Sequence, residues 1–239
     1  MPPFSDPDAV ARYAEGPPRQ VPGFHALQTM ATLLLAERVP ADGRVLVLGA
    51  GGGLELKAFA RAQPGWRLLG VDPSAAMLKL AADTLGPLVA HVELLEGLID
   101  DAPDIAFDGA SCLLTLHFLP PDQRLHTLRQ LHRRLKPGAP LVVAHHSIAS
   151  DVDGSAGGDA YSDPTVDGSR QRWLRRYAAF ATASGIPAVD ARRAIDAIAT
   201  RLPLLTPQQD QALIEEAGFE QVELFYAGFT FRGWVGLAG

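Results

Sequence analysis

Cysteine is almost absent from this sequence, and its absence excludes several classes of protein. The single cysteine, Cys112, has no partner for an internal disulfide and cannot supply a multi-cysteine zinc site. The seven histidines include no pair with the four-residue spacing that brings two ligands together on a helix. We therefore expect neither a disulfide-stabilised fold nor a metal site.

Positive charge is also scarce. The 21 basic and 27 acidic residues give a net charge of −6, whereas a protein that binds nucleic acid across its surface usually carries the opposite sign. Arginines are concentrated between Arg170 and Arg201. Their first interpretation is a site that binds an anionic substrate or RNA, and their second is a solvated helix face. The second interpretation is favoured, so we expect no nucleic-acid partner.

Long apolar runs are missing as well. The most apolar stretch, residues 110–119, is interrupted by polar side chains and is far too short to span a bilayer. The first residues lack the basic segment and apolar core of a secretory signal. We expect a cytoplasmic protein without membrane contact, for which a homodimer remains an option. The 47% of hydrophobic residues is enough for a substantial core and excludes a disordered chain.

Short apolar strands alternate with helical segments through the middle of the chain. The pattern predicts strands at 44–48, 66–71, 89–95, 109–114 and 141–144, with helices between most of them. Such alternation specifies a parallel sheet covered on both faces. Near the C-terminus, two further strands are separated only by Ala227 and Gly228 and must be antiparallel. The predicted fold is α/β, a doubly wound, mostly parallel seven-stranded sheet that ends in an antiparallel hairpin.

We expect one domain over residues 1–239. It has an N-terminal lid segment at 1–40 and an insert at 150–205, in which a loop rich in Asp, Gly and Ser precedes two helices. Tyr13, in the lid segment, is a candidate substrate-binding residue, although ordinary packing also accounts for a tyrosine there.

A glycine-rich loop, Gly49–Gly53, follows the first predicted strand and precedes a helix. Glycines let the backbone approach a ligand closely, and a helix N-terminus offers free N–H groups. The dinucleotide-binding fingerprint requires a glycine at position 54, where the chain has Leu54. The loop therefore predicts either a ligand site or a tight structural turn.

Asp72 ends the second predicted strand, 23 residues after Gly49. A right-handed crossover places this carboxylate beside the glycine loop, where it can accept hydrogen bonds from both hydroxyls of a ribose. The alternative is a helix cap, because Pro73 and Ser74 follow.

Four segments in chain order carry a family resemblance: residues 45–53, 70–78, 135–138 and 216–219, the last followed by the hairpin. Together they resemble the class I S-adenosylmethionine (SAM)-dependent methyltransferases, which have a Rossmann-like fold. Within that superfamily the nearest resemblance is to the carboxy-SAM synthase-like methyltransferases, through Val21-Pro-Gly-Phe24, Thr115-Leu-His-Phe-Leu119 and the segment from Glu216 to Phe231.

The resemblance implies a site for SAM or carboxy-SAM. The loop residues Gly49, Ala50 and Gly51 would pass under the methionine part, and Asp72 would hold the ribose. The other residues implied around the ligand are Phe24, Pro73, Met77, Gly97, Leu98, Ile99, Leu113 and Thr115. His117 lies at the same predicted edge of the sheet, where we expect it to pack against the cofactor.

Several positions depart from the family pattern. The acid usual two residues before the loop is Val47, and apolar residues replace polar ones at Leu98, Leu113 and Phe24. Each change removes a side-chain hydrogen bond to the ligand, typically about 0.5–1.5 kcal/mol. Glu55, Asp100 or Asp101 could help to compensate.

Candidate catalytic residues follow the fifth predicted strand. His145 or His146 could take a proton from the acceptor as the methyl group leaves sulfur, although either could equally be a structural histidine. The resemblance also places Arg193, or its neighbour Arg192, near an arginine that clamps the extra carboxylate of carboxy-SAM. The alternative for Arg193 is again a solvated helix face.

The leading functional hypothesis is a SAM-dependent methyltransferase that acts on a small-molecule acceptor. The first alternative is a carboxy-SAM synthase-like enzyme that uses SAM and prephenate. The second is a non-catalytic SAM-binding regulator, suggested by Val47, Leu98 and Leu113. A nicotinamide-dependent oxidoreductase is a weaker option, because Leu54 and the terminal hairpin oppose it.

Overall fold

The computed structural model of the protein describes residues 15–148 and 168–239. Its seven strands are β1 Arg44–Leu48, β2 Arg67–Asp72, β3 Val92–Glu96, β4 Gly109–Leu113, β5 Pro140–His146, β6 Phe219–Gly228 and β7 Phe231–Ala238. They form one sheet in the order β3-β2-β1-β4-β5-β7-β6. Strands β1 to β5 are parallel, and β7 runs antiparallel to both β5 and β6. The predicted fold class is confirmed.

Eight α-helices accompany the sheet in the described part of the chain. They are α1 Gly16–Gln20, α2 Phe24–Ala36, α3 Leu54–Ala62, α4 Ala75–Leu85, α5 Pro121–Arg133, α6 Ser169–Ala183, α7 Ala188–Arg201 and α8 Pro207–Glu216. Within residues 15–148 and 168–239, no helix combines the length and the apolar character needed to span a membrane.

Helices cover the sheet on both faces because its central strands are mostly apolar and almost fully buried. Alternate residues of a strand point to opposite faces. Val45 and Val47 of β1 accordingly belong to one core with Leu27 of α2, while Leu46 belongs to a second core with Leu128 of α5. A continuous apolar run is typical of a parallel strand buried from both sides.

Several boundaries differ from the sequence-based prediction, most of them by one residue. The third strand begins only at Val92, because a 3₁₀ helix occupies Gly86–His91. The fifth strand continues through His146, because β7 extends the pairing to that residue. The N-terminal lid segment contains the short helix α1, which the sequence did not predict. Tyr13 and the first part of the predicted insert lie outside the described residues.

A buried ion cluster joins α5, α8 and β5. The Arg124 guanidinium donates a hydrogen bond to Asp210 and further hydrogen bonds to the carbonyls of Leu119 and Pro203. His145 Nε2 lies 3.1 Å from the same Asp210 oxygen, and the three side chains are almost wholly buried. Burial alone raises the pKa of Asp210, but its contact with His145 and the charge of Arg124 hold this pKa below its usual value.

Replacing Arg124 by Met should therefore be strongly destabilising, since Asp210 would remain buried without its cation. We expect a loss of about 3–5 kcal/mol in the free energy of unfolding, measured by urea denaturation. Arg129→Met is the matched control, because Arg129 lies on the same helix and pairs with Glu216 in solvent. That variant should lose less than about 1 kcal/mol. Equal losses in the two variants would contradict the assignment of the buried cluster as a major stabilising element.

Candidate ligand-binding site

A cavity of about 660 Å³ lies at the carboxyl ends of β1, β2 and β4. Open α/β sheets bind their ligands at this edge, and the volume is within the range of small-molecule sites. All but one of the residues predicted around the cofactor line it. These are Phe24, Gly49, Ala50, Gly51, Asp72, Pro73, Met77, Gly97, Leu98, Ile99, Leu113 and Thr115. Their contacts with a ligand remain a prediction.

Glycine is required at two places in the loop. Gly49 and Gly53 have φ values of 76° and 78°, which side chains rarely adopt. A Cβ on Gly49 would lie 2.0 Å from Thr115 Oγ1, and one on Gly53 would lie 2.8 Å from the Cα of Ala81 in α4. The loop therefore packs against β4 on one side and against α4 on the other, so the floor of the cavity has a fixed shape.

Asp72 braces this loop. Its Oδ2 accepts a hydrogen bond from the Gly51 amide at 2.9 Å, and its Oδ1 accepts one from the Ser74 amide at 3.0 Å. Burial raises the pKa of Asp72, although both hydrogen bonds act in the opposite direction. Each carboxylate oxygen keeps a further lone pair for a ligand. The cap of α4 is Ser74, whose Oγ accepts from the Met77 amide.

Glu55 is a second carboxyl group in the cavity wall. It lies in the first turn of α3, is only 8% exposed, and accepts a hydrogen bond from the Ser111 hydroxyl of β4. Burial raises its pKa to about 8, and the bond from Ser111 offsets only part of this effect. Among residues 15–148 and 168–239, no basic side chain is recorded in an ion pair with it. The sequence indicated Glu55 only as an auxiliary acid.

The three predicted histidines lie away from the cavity lining. The His117 ring packs against that of His146 at 5.0 Å, and His146 also stacks on Phe231 at 3.9 Å. His145 lies in the ion cluster with Asp210. Burial, then the neighbouring histidines, lowers the pKa of His146 to about 3 and that of His117 well below its usual value. This geometry does not support a general base at the ligand, nor the packing of His117 against it.

The structure also separates Arg193 from the cavity. Its side chain is 77% exposed on α7 and lies 3.4 Å from Asp190 of the same helix. This placement matches the alternative of a solvated helix face. Tyr13, the other predicted substrate-binding residue, lies outside the described residues.

Further polar residues complete the cavity wall, and of these the sequence indicated only Asp100, as an auxiliary acid. They are Gln28 of α2, Asp100, and the α5 residues Gln123, His126 and Thr127. His126 Nε2 lies 2.9 Å from an oxygen of Asp100, so this pair closes one side of the cavity. The positions of the α5 residues could have been predicted, because the first turns of a helix that follows a parallel strand lie near the carboxyl edge of the sheet.

Comparisons with known proteins agree with the fold. Residues 46–141 match the family model described as a methyltransferase domain. A carboxy-S-adenosyl-L-methionine synthase from Actinobacillus succinogenes is 26% identical over 218 residues, which cover 89% of this chain and 84% of that protein. These matches support the resemblance of this chain to the class I SAM-dependent methyltransferases.

Solved structures share the fold at lower sequence identity. Human N-acetylserotonin methyltransferase in complex with SAM aligns with a TM-score of 0.60 at 15% identity, over 99% of this chain and 57% of that one. An O-methyltransferase family protein from Burkholderia thailandensis aligns with a TM-score of 0.62 at 15% identity, over 98% and 58%. The chain thus spans little more than half the length of either structure.

The raised pKa of Glu55 gives a testable dependence of stability on pH. Above about pH 4.5 the unfolded chain releases the Glu55 proton, whereas the native state keeps it. The contribution of Glu55 to the free energy of unfolding is therefore lost as the pH rises towards about 8. Glu55→Gln cannot titrate. Relative to the variant, the parent should therefore lose free energy of unfolding on the order of 2–4 kcal/mol between about pH 5 and pH 8.

The measurement is urea unfolding of both proteins without ligand at each pH. The lowered pKa values of His117 and His146 are common to parent and variant, so their contribution cancels in the difference. A difference that stays constant with pH would show that the Glu55 carboxyl group has an ordinary pKa in the folded protein.

Proposed function

We propose that the protein is a SAM-dependent methyltransferase that transfers the methyl group to a small-molecule acceptor. The observation that carries this proposal is the Asp72 carboxylate, which a loop amide holds at the floor of a mainly apolar cavity. A braced carboxylate with spare lone pairs fits a ribose diol, because the two hydroxyls can donate to its two oxygens.

The cavity lining fits the rest of SAM. Met77, Leu98 and Ile99 offer apolar surface for the adenine ring. The loop at Gly49–Gly53 approaches the methionine part closely, since it carries no bulky side chain. Phe24 and Leu113 provide apolar walls on the sulfonium side.

Methyl transfer from this site requires positioning above all. SAM supplies an electrophilic methyl group, whose bond to sulfur breaks as the bond to the acceptor forms. The protein has to align the acceptor in line with that bond and exclude water. His117, His145 and His146 do not line the cavity, and His126, which does, pairs with Asp100. We therefore assign no general base, and the acceptor would have to lose its proton to solvent or to another group.

A carboxy-SAM synthase-like activity is the second candidate. It is favoured by the name of the Actinobacillus relative, which covers most of this chain. The apolar residues Leu98 and Leu113 and the exposed position of Arg193 oppose it. Incubation with SAM and prephenate, followed by mass spectrometry, tests this activity through the formation of carboxy-SAM. A SAM-binding protein without activity on any acceptor would instead agree with the regulatory alternative.

Calorimetry with SAM and S-adenosylhomocysteine tests the proposed site. We expect both ligands to bind the parent protein, and Asp72→Ala to weaken each by about 1.5–3 kcal/mol, the value of hydrogen bonds to a charged group. The same variant should be destabilised without ligand, because the bonds to Gly51 and Ser74 are lost.

Asp42→Ala removes an exposed carboxylate just before β1 and serves as the control, with affinities like those of the parent. Absence of binding to the folded parent by either ligand would refute the proposed function.

Arg193→Ala distinguishes the two candidate activities. Because Arg193 is exposed on α7 and does not line the cavity, the variant should bind SAM and carboxy-SAM in the same ratio as the parent. Competition binding of the two ligands gives that ratio. A selective loss of carboxy-SAM affinity would restore Arg193 as a carboxylate clamp and would favour the synthase-like activity.

A further inference from the structure

Glu55 is a buried acid in the cavity wall that the proposed ribose and adenine contacts do not use. It accepts a hydrogen bond from the neutral Ser111 hydroxyl, and within the described part of the chain it forms no ion pair with a basic side chain. A carboxylate in such a place is costly unless a cation approaches it. The cavity is the side from which a ligand could bring that cation.

The strand register locates the Glu55 carboxyl group. Val47 of β1 pairs with Ser111 of β4, so their side chains lie next to each other on one face of the sheet. Because Ser111 donates to Glu55, the carboxyl group from α3 lies over the same pair of strands. Position 47 is where the family resemblance leads us to expect an acid. Here valine stands on the strand, and a carboxyl group reaches its vicinity from the helix instead.

The distance from Asp72 distinguishes the two cations of SAM. Strand β1 separates β2, which carries Asp72, from β4, which carries Ser111. Two strand spacings amount to about 10 Å. The sulfonium is bonded directly to the 5′ carbon of the ribose and lies too near Asp72 to span that distance. The ammonium group, carried on the third carbon beyond sulfur, can reach the neighbourhood of Glu55.

We propose that Glu55 is the carboxylate that binds the α-ammonium group of the methionine part of the ligand, in place of an acid on the strand. This assignment rests on the proposed binding of SAM and adds a residue to that site. It makes the amino group of the ligand a requirement for tight binding. A nucleoside that lacks the amino acid part gains nothing from Glu55.

Proton release should accompany this contact. Since burial raises the pKa of Glu55 to about 8, the group is mostly protonated at about pH 6.5 and must ionise to pair with an ammonium ion. The neighbouring Cys112 thiol does not interfere, because burial and the charge of Glu55 raise its pKa far above neutrality. The other titratable groups of the cavity wall are Asp72, Asp100 and His126, of which the last two pair with each other.

The decisive comparison uses SAM and two ligands that lack one or both of its cationic groups. S-adenosylhomocysteine has the ammonium but no sulfonium, and 5′-methylthioadenosine has neither. Glu55→Gln should weaken SAM and S-adenosylhomocysteine by similar factors of about 10 to 100, while leaving the affinity for 5′-methylthioadenosine within about twofold. Glu37→Gln makes the same change at an exposed position on the C-terminal side of α2 and should alter none of the three affinities.

The outcomes separate this inference from the proposed function. If the parent binds none of the three ligands, the proposed function fails. If the parent binds them and Glu55→Gln weakens none, or weakens all three alike, the assignment of Glu55 is wrong. Loss of SAM affinity alone would assign the carboxylate to the sulfonium and would also overturn the proposal.

A second measurement needs no variant, so it remains decisive if Glu55→Gln does not fold. Calorimetry of the parent at about pH 6.5, in buffers with different ionisation enthalpies, counts the protons released per ligand bound. S-adenosylhomocysteine should release close to one proton, whereas 5′-methylthioadenosine should release almost none. Equal proton release by the two ligands would contradict an ammonium contact at Glu55.

Discussion

The hydrogen bond from the Gly51 amide to Asp72 is the contact on which the site depends. It joins the loop after β1 to the end of β2, so two successive βα units share one fixed geometry. The loop can come this close because Gly49 has positive φ and leaves room for Thr115. A carboxylate already held by two amides needs little reorganisation to accept a ligand, and preorganisation of this kind lowers the cost of binding. The same bonds make Asp72 part of the structure as well as of the site.

Local signals explain why much of this edge could be predicted from the sequence. The glycine loop and the position of Asp72 after a buried strand each involve residues close together in the chain. Parallel strands then bring their carboxyl ends to one edge, whatever the details of packing. For that reason the predicted cofactor residues gather around one cavity without any knowledge of side-chain positions.

Long-range pairing explains where the predictions went wrong. The apolar run ends at Ala144, so the sequence predicts that His145 and His146 follow the fifth strand. In the structure β7 pairs with both histidines and holds them inside the sheet. His145 contacts Asp210, which lies far along the chain and also pairs with Arg124. No spacing rule connects such residues, so their burial could not be anticipated.

The apolar changes around the cavity and the buried acid are two parts of one electrostatic arrangement. Leu113 in the cavity wall and Val47 in the core beside Ser111 lower the polarity near β1 and β4, which strengthens any charge interaction there. Glu55 is the acid on this side of the cavity, and burial raises its pKa while the hydrogen bond from Ser111 offsets part of the effect. A ligand with a cationic end would supply the missing charge, whereas a neutral one would leave the acid protonated. With the proposed assignment of Glu55, selectivity for the amino acid part of the ligand depends on the carboxyl group carried by α3, while Asp72 remains the group for the ribose.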